Sequence, residues 1–257
     1  MPDLFLVDDG SSDGTAEAVK QTYSGVKIFR GDGNLFWCSG TRLAFSQAMA
    51  ENYDLYLWLN DDTYLETDAL WRLLGVYADA HSRLKCPLIV VGSTRDPGTG
   101  LFSYGGWRQR IGRPGTISWE KVPPDMECWT LCDTMNGNCV LISREVVERI
   151  GNLDPAFHHG MGDLDYGLRA IKKGCRIVIA PGYYGFCSGN DGTGLWTDVR
   201  LPIMQRWRKL LGPKGLPVRE WGLFTFRHKG PLWPLVWLSP YVFFWLRALI
   251  IKFRVTE

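Results

Sequence analysis

The sequence predicts an α/β fold: a mixed, mostly parallel sheet flanked by helices, followed by a basic helical extension. Short apolar runs recur at Leu4–Val7, Val26–Phe29, Leu55–Leu59, Leu88–Val91, Cys139–Ile142 and Cys175–Ala180, each of the length expected for a buried strand. Between several of them lie stretches with helical spacing, and strands alternating with helices imply crossover connections and a parallel sheet. The charge is also divided. Residues 1–199 hold 18 Lys+Arg against 25 Asp+Glu, a balance of −7, while residues 200–257 hold 11 against 2, a balance of +9, which together return the net +2. An acidic body over 1–199 and a basic, Trp-rich extension over 200–257 therefore suit two tasks: chemistry in the first and contact with an anionic partner in the second.

The first run stops at Asp8-Asp9-Gly10-Ser11-Ser12-Asp13-Gly14-Thr15, a cluster of turn formers and helix caps, so it reads as strand, loop, helix. A helical stretch spans about Gly40 to Asn52, and Asn60-Asp61-Asp62 follows the third run at once. Leu70, Leu73, Leu74 and Tyr77 keep the i, i+3, i+4, i+7 spacing of an amphipathic helix. Gly98 to Pro124 changes to Gly, Pro and aromatic residues without helical period, which suits an antiparallel insertion or long loops beside a site. Ser143 is placed to cap a helix carrying Val146, Val147 and Ile150, with Gly151 at its end. Asp163 to Lys173 forms another short helix through Leu164, Leu168 and Ile171. Pro231 to Leu246 is uncharged, but it has 16 residues and three prolines. A membrane-spanning helix needs ~20 apolar residues, so this segment reads as too short and too broken to cross a bilayer.

A chain of 257 residues with 46% hydrophobic and 22% charged residues has the balance of a globular protein and excludes a disordered tail. Seven scattered cysteines without CxxC pairs argue against a complete disulfide framework or a structural zinc site and fit reduced thiols in the cytosol. Asp3, Asp8, Asp9 and Asp13 stand where a signal peptide would be apolar. A Walker loop is absent, which disfavours a P-loop NTPase.

In a doubly wound sheet, ligands bind beyond the carboxyl ends of the strands. Asp8-Asp9 and Asn60-Asp61-Asp62 both follow apolar runs, and Asp163-Leu164-Asp165 opens a helix. Carboxylates repel a bare phosphate and become useful when a divalent cation bridges them to a diphosphate. Either pair alone would read as a cap or solvated turn. Three acidic clusters at such places point to a nucleotide and metal site.

VDDGSSDGT (Val7 to Thr15), the Asn-Asp-Asp after a strand, and HHGMGDLDYGLRA (His158 to Ala170) together resemble the family 2 glycosyltransferases of the GT-A fold, especially rhamnosyltransferase-like bacterial members. The likeness runs from about Leu4 to Pro181. It implies inverting transfer of a sugar from a nucleoside diphosphate donor to a hydroxyl of a glycan or lipid-linked acceptor in cell-surface polysaccharide synthesis, normally with Mg²⁺ or Mn²⁺. No nucleic-acid partner is expected. By resemblance, Asp8 or Asp9 accepts a hydrogen bond from the base or ribose. Asp62 is the direct metal ligand, Asn60 and Asp61 contact the donor, and Asp163 is the general base. Asn stands where the family's metal motif has its first Asp, and Gly162 where it commonly has Glu. Family members usually open with one more strand and helix before the VDDGS element, an element this chain reaches almost at its start.

Other residues have two readings. His158, His159 and His228 suit metal, acceptor or diphosphate contacts, or solvent. Trp107, Trp119 and Trp129 suit stacking on a sugar, or core packing. Asn136-Gly137-Asn138 suits an acceptor pocket, or an ordinary turn. Asp165 and Arg169 stand at i, i+4 and suit a helix salt bridge. A catalytically inactive nucleotide-sugar or glycan-binding module is the competing function, and a nucleotidyltransferase would need a Gly-rich basic phosphate loop that is not seen. The basic extension, with Trp207, Trp221, Trp233, Trp237 and Trp245, suits peripheral contact with an anionic membrane on the cytoplasmic face of the inner membrane, the alternative being that these tryptophans pack inward.

Overall fold

A computed structural model describes residues 2–111, 117–189 and 192–255. The chain forms two compact units, Met1–Arg110 with Ser118–Gly189, and Ile111–Ile117 with Asn190–Glu257.

The first unit is mixed α/β. Its N-terminal part runs β1 (Phe5–Asp8), α1 (Thr15–Thr22), β2 (Lys27–Arg30) and α2 (Phe36–Ala50), with β1 and β2 paired in parallel as a two-stranded sheet. Next come β3 (Leu55–Leu59), β4 (Tyr64–Leu65), α3 (Ala69–Leu84) and β5 (Leu88–Arg95). The Gly- and aromatic-rich stretch supplies β6 (Gly106–Ile111) and β7 (Ile117–Val122), which join β9 (Thr134–Met135) in a three-stranded sheet. Between β7 and β9 lies β8 (Thr130–Cys132), and the unit closes with β10 (Cys139–Ser143), α4 (Arg144–Ile150), α5 (Gly162–Lys172) and β11 (Arg176–Phe186).

The main sheet has the order β3-β10-β5-β11-β4, with β8 also on β11. β10 runs antiparallel to both β3 and β5, and β5 is parallel to β11. Three of the long strands, β3, β5 and β11, thus point one way as an α/β pattern predicts, but a reversed strand separates β3 from β5. The sheet is mixed, as expected, with antiparallel neighbours outnumbering the parallel pair of β5 and β11. Every residue of β10 is buried, because an apolar strand at the sheet centre is covered on both faces. On one face, Ala69, Leu73 and Ala80 of α3 pack on Leu88, Val90, Leu141, Val178 and Tyr184. On the other, Phe45 of α2, Trp58 of β3 and Tyr166 of α5 meet edge to face.

Two local expectations change. Ser143 precedes α4, but its hydroxyl makes no cap bond and instead accepts the Leu88 N–H across the sheet at 3.4 Å. Asp163 lies in the first turn of α5, behind Met161, which takes a left-handed φ of 67° at the cap.

The second unit is helical: α6 (Ile203–Leu211), α7 (Val218–His228), a 3₁₀ turn (Gly230–Leu232) and α8 (Trp233–Val255). Its own core is Leu210, Tyr241 and Phe244, ringed by Trp196, Trp207, Trp221 and Trp237. The expectation of a broken segment at 231–246 is corrected, since α8 is one helix of 23 residues. Pro234 sits in its first turn, where a missing N–H costs nothing. Pro240 lies inside and leaves the Val236 carbonyl without its helical donor. The Ser239 hydroxyl donates to that carbonyl at 2.8 Å, which satisfies the freed group and lets the helix continue. Among the described residues, no helix is long and apolar enough to cross a membrane.

Candidate functional site

The reversed β10 determines the site. Antiparallel pairing sets Cys139 opposite Leu59, so the loop entering β10 lies beside the loop leaving β3. Asn60 N–H donates to the Asn138 carbonyl at 3.2 Å. One residue back, Gly137 N–H donates to Asp163 Oδ2 at 3.1 Å. Residues 136–138 therefore tie the acidic loop after β3 to the start of α5, and they bring Asn60-Asp61-Asp62 and Asp163 to one place.

Asp163 is partly buried. Its Oδ1 accepts the Leu164 N–H at 2.8 Å, and the Asn136 side chain is also hydrogen-bonded to it. Burial nevertheless pushes its pKa up, against the lowering effect of these bonds. Burial by the protein alone thus makes this carboxylate more basic than a solvent-exposed one. A carboxylate has about four lone-pair positions, so three accepted bonds leave roughly one for a proton from outside. Asn136 is held in turn by Trp107, whose Nε1 donates to Asn136 Oδ1 at 2.8 Å.

Asp61 and Asp62 are exposed. The Cys187 thiol, just past the end of β11, lies 3.5 Å from Asp62 Oδ1, and Asn138 Nδ2 donates to the same sulfur at 3.4 Å. Burial raises the Cys187 pKa, which keeps it a neutral thiol. Asn60 points its Oδ1 at Trp37 Nε1, 2.5 Å away. The same indole covers Gly137, where a Cβ would lie 2.2 Å from Trp37 Cζ2. Only glycine fits there, and Trp37 joins Asn60 to the loop at 136–138. A similar close approach seats Cys38 on Gly162, the position where the family commonly has Glu; a Cβ there would lie 2.2 Å from the Cys38 sulfur.

The two aspartates after β1 are used differently from each other. Asp8 is buried and its Oδ1 accepts the Ser11 N–H at 2.9 Å. Hydrogen bonds from Ser11 hold its pKa below the usual carboxylate range. Asp9 spreads over the opposite loop, Oδ1 accepting Gly33 N–H at 2.8 Å and Oδ2 accepting Leu35 and Phe36 N–H at 2.8 and 3.3 Å. It sets the start of α2 and so the position of Trp37.

Among the described residues, no three His, Cys, Asp or Glu side chains gather as a ready metal cage. The hard oxygens of Asp61 and Asp62 fit Mg²⁺ or Mn²⁺ in the manner where one or two carboxylates share the ion with substrate phosphates. Asp165 is fully buried and forms a 2.7 Å ion pair with Arg169, which also donates to the Ile150 and Asn152 carbonyls. It is a structural pair rather than a ligand. Backbone N–H groups of Cys38 and Ser39 donate to the His158 carbonyl, and His159 meets Phe36 edge to face. Trp129 donates to Asp79, away from the site. A cavity of about 550 Å³ lined by His81, Lys85, Glu145 and Arg149 also lies elsewhere. Sequence reasoning missed Trp37 and Cys187, since no local pattern announces a contact made by folding.

The model of glycosyl transferase family 2 matches residues 2–151. An uncharacterised protein of Mycobacterium tuberculosis (strain ATCC 25618 / H37Rv) is 29% identical over 150 residues, covering 55% of this chain and 49% of that protein. An N-acetylglucosaminyl-diphospho-decaprenol L-rhamnosyltransferase of the same organism is 25% identical over 200 residues, covering 69% of this chain and 64% of that enzyme. The chain thus spans about half the length of the first of these relatives and somewhat more of the second. The crystal structure of TarS from S. aureus matches with a TM-score of 0.53 at 12% identity, over 91% of this chain and 46% of that one, a likeness of fold. With its mixed sheet, flanking helices and three acidic motifs in order, the chain belongs to glycosyl transferase family 2 and has the GT-A fold.

Proposed function

We propose that this chain performs an inverting transfer of a sugar from a nucleoside diphosphate donor to a hydroxyl of a glycan or lipid-linked acceptor, in cell-surface polysaccharide synthesis at the cytoplasmic face of the membrane. The observation that carries the reading is the loop 136–138, which joins Asp163 to the acidic turn after β3 through hydrogen bonds on both sides. The rhamnosyltransferase relative acts, by its name, on a diphosphate-linked lipid carrying N-acetylglucosamine, and an acceptor of that class suits this chain.

In this reading Asp163 takes the proton of the acceptor hydroxyl through its remaining lone-pair position. The acceptor oxygen forms its bond to the anomeric carbon from the side opposite the diphosphate, whose bond to that carbon breaks, so the configuration inverts. Asp8 and Asp9 hold the nucleoside side of the donor through lone pairs not used on Ser11 and on residues 33–36. Asn60 and Asp61 contact the donor, and Asp62, with Asp61, would hold Mg²⁺ or Mn²⁺. A divalent ion held there would supply positive charge against the departing diphosphate.

Thermal shift across a panel of nucleoside diphosphate sugars, followed by transfer assays with the stabilising donor, tests the reading. Asp62→Ala should fold normally, since the side chain is exposed, and should lose transfer. Wild-type turnover by Asp62→Ala in saturating Mn²⁺ would remove Asp62 from the metal site. Donor binding without any turnover by the unaltered chain would make it a binding module instead.

A further inference from the structure

The second unit carries an apolar surface that its own core does not use. In α8, Trp237, Tyr241 and Phe244 face the core with Trp207 and Trp221. The opposite side presents Leu235, Leu238, Val242, Phe243 and Leu246, which are 67%, 47%, 44%, 57% and 47% exposed. Their spacing of i, i+3, i+7, i+8 and i+11 puts them on one stripe. A helix apolar on every side is ordinarily buried all round, and this one is covered on one side.

The charge of the unit selects the occupant. Arg208, Lys209, Lys214, Arg219 and Arg247 are exposed. Among the described residues of the unit, the carboxylates are Asp198, held by Arg200 at 2.8 Å, and Glu220, which is buried. The unit is therefore cationic and carries an exposed apolar stripe, and two copies would bring like charges together. An anionic bilayer complements both features, because acyl chains take the stripe and headgroups take the cations.

We infer that the exposed face of α8 seats on an anionic membrane surface, with Leu235, Leu238, Val242, Phe243 and Leu246 in the headgroup boundary. The structure changes which residues make this contact. Trp207, Trp221 and Trp237, which the sequence left between the interface and inward packing, pack on the unit's core, and the aliphatic stripe with Phe243 and Trp245 takes the interface place. The inference supplies a partner surface for the proposed reaction and stands independently of its transfer chemistry.

Co-sedimentation of the full chain with vesicles made of equal parts phosphatidylcholine and phosphatidylglycerol tests it, with pure phosphatidylcholine as the comparison. Binding to the mixed vesicles at low salt, lost in molar salt, is expected, as is a drop of about tenfold or more for Val242→Asp/Phe243→Asp. Both side chains are exposed, and circular dichroism checks that the variant is folded. In the unaltered chain, brominated lipid should quench part of the tryptophan fluorescence, since Trp245 is 40% exposed on α8. No binding to anionic vesicles, equal binding to pure phosphatidylcholine, or undiminished binding by the folded variant overturns the inference. So does a dimer, seen by sedimentation velocity without vesicle binding, that the same variant dissociates.

Discussion

Replacing Asp163 by Asn keeps the size of the side chain and removes the proposed base. The Asp163 oxygens accept separate N–H groups, from Leu164 at 2.8 Å and Gly137 at 3.1 Å. An amide offers one oxygen, so one of these donors is left facing an NH₂ group. An unsatisfied buried donor costs about 1–3 kcal/mol, and at roughly 2–4 °C per kcal/mol for a chain of this size the thermal midpoint should fall by about 2 to 12 °C. Turnover should fall far more, by ~10² to 10⁴-fold, which corresponds to about 3 to 5 kcal/mol of barrier. The assay is steady-state transfer at saturating donor, with donor affinity measured separately by titration calorimetry. The pH profile adds an independent reading. Burial raises the Asp163 pKa above the ordinary 3.8, and the base works only when ionised, so turnover should decline on the acid side at a pH above that value. In stability terms the neutral acid is the form the fold prefers. Its contribution is complete below pH 3.8 and is lost as pH rises through the raised pKa. The small residual activity of Asp163→Asn should lack the acid limb. Turnover within a few-fold of wild type, or an unchanged acid limb, refutes the base assignment; a loss of donor affinity equal to the loss of rate makes Asp163 a binding residue.

Trp37→Phe keeps an aromatic ring against Gly137 and deletes the N–H that Asn60 accepts, so the donor KM should rise roughly two- to tenfold with the fold retained; an unchanged KM separates Trp37 from the donor side. Ser239→Ala removes the hydroxyl that satisfies the Val236 carbonyl ahead of Pro240, and chemical denaturation should show a loss of about 0.5–1.5 kcal/mol. Burial lowers the Lys229 pKa to about 8 from 10.5, so the native state binds fewer protons than the unfolded chain between those values and stability rises with pH across that window. Lys229→Met should accordingly raise the thermal midpoint at pH 7, with the gain fading by pH 10.5; an equal gain at both pH values would show that the charge is not the cause.

Much of the fold follows from local pattern. The apolar runs became β1, β2, β3, β5, β10 and β11 within a few residues; β5, β10 and much of β11 are buried on both faces and so apolar almost throughout, while β1, β2 and β3 keep partly exposed positions. The direction of β10 could not be read in this way, since an apolar run has the same composition in either orientation and only long-range pairing decides it. The acidic positions of the site were visible because they directly follow strands or, for Asp163, open a helix. Their partners were not, since Trp37 lies 23 residues from Asn60 and Cys187 lies 125 from Asp62. Asp9 reads from sequence as a ligand-facing acid, and its second task, ordering the loop at 33–36, shows only in the fold. The three prolines of residues 231–246 suggested a break, and a single hydroxyl at Ser239 removed the reason for one.

The reversal of β10 explains why Asp163 and the acidic turn after β3 are held as one piece. Had β10 run parallel to β3, residues 136–138 would enter at the opposite end of the sheet, about five residues or ~17 Å away at the rise of a strand. Asp163 would then have needed another route to the carboxyl ends of β3 and β11. With β10 reversed, the strand that is most buried begins where its neighbours end. The Gly137 N–H that holds Asp163 and the Asn138 carbonyl that holds Asn60 belong to adjacent residues of one short segment, anchored by five consecutive buried positions of β10. Trp37 then covers Gly137 and reaches Asn60 from the third side. A displacement of either half of the site has to move this segment or that indole. This is the rigidity that catalysis by positioning requires, where a shift of about 1 Å can cost on the order of a hundredfold in rate.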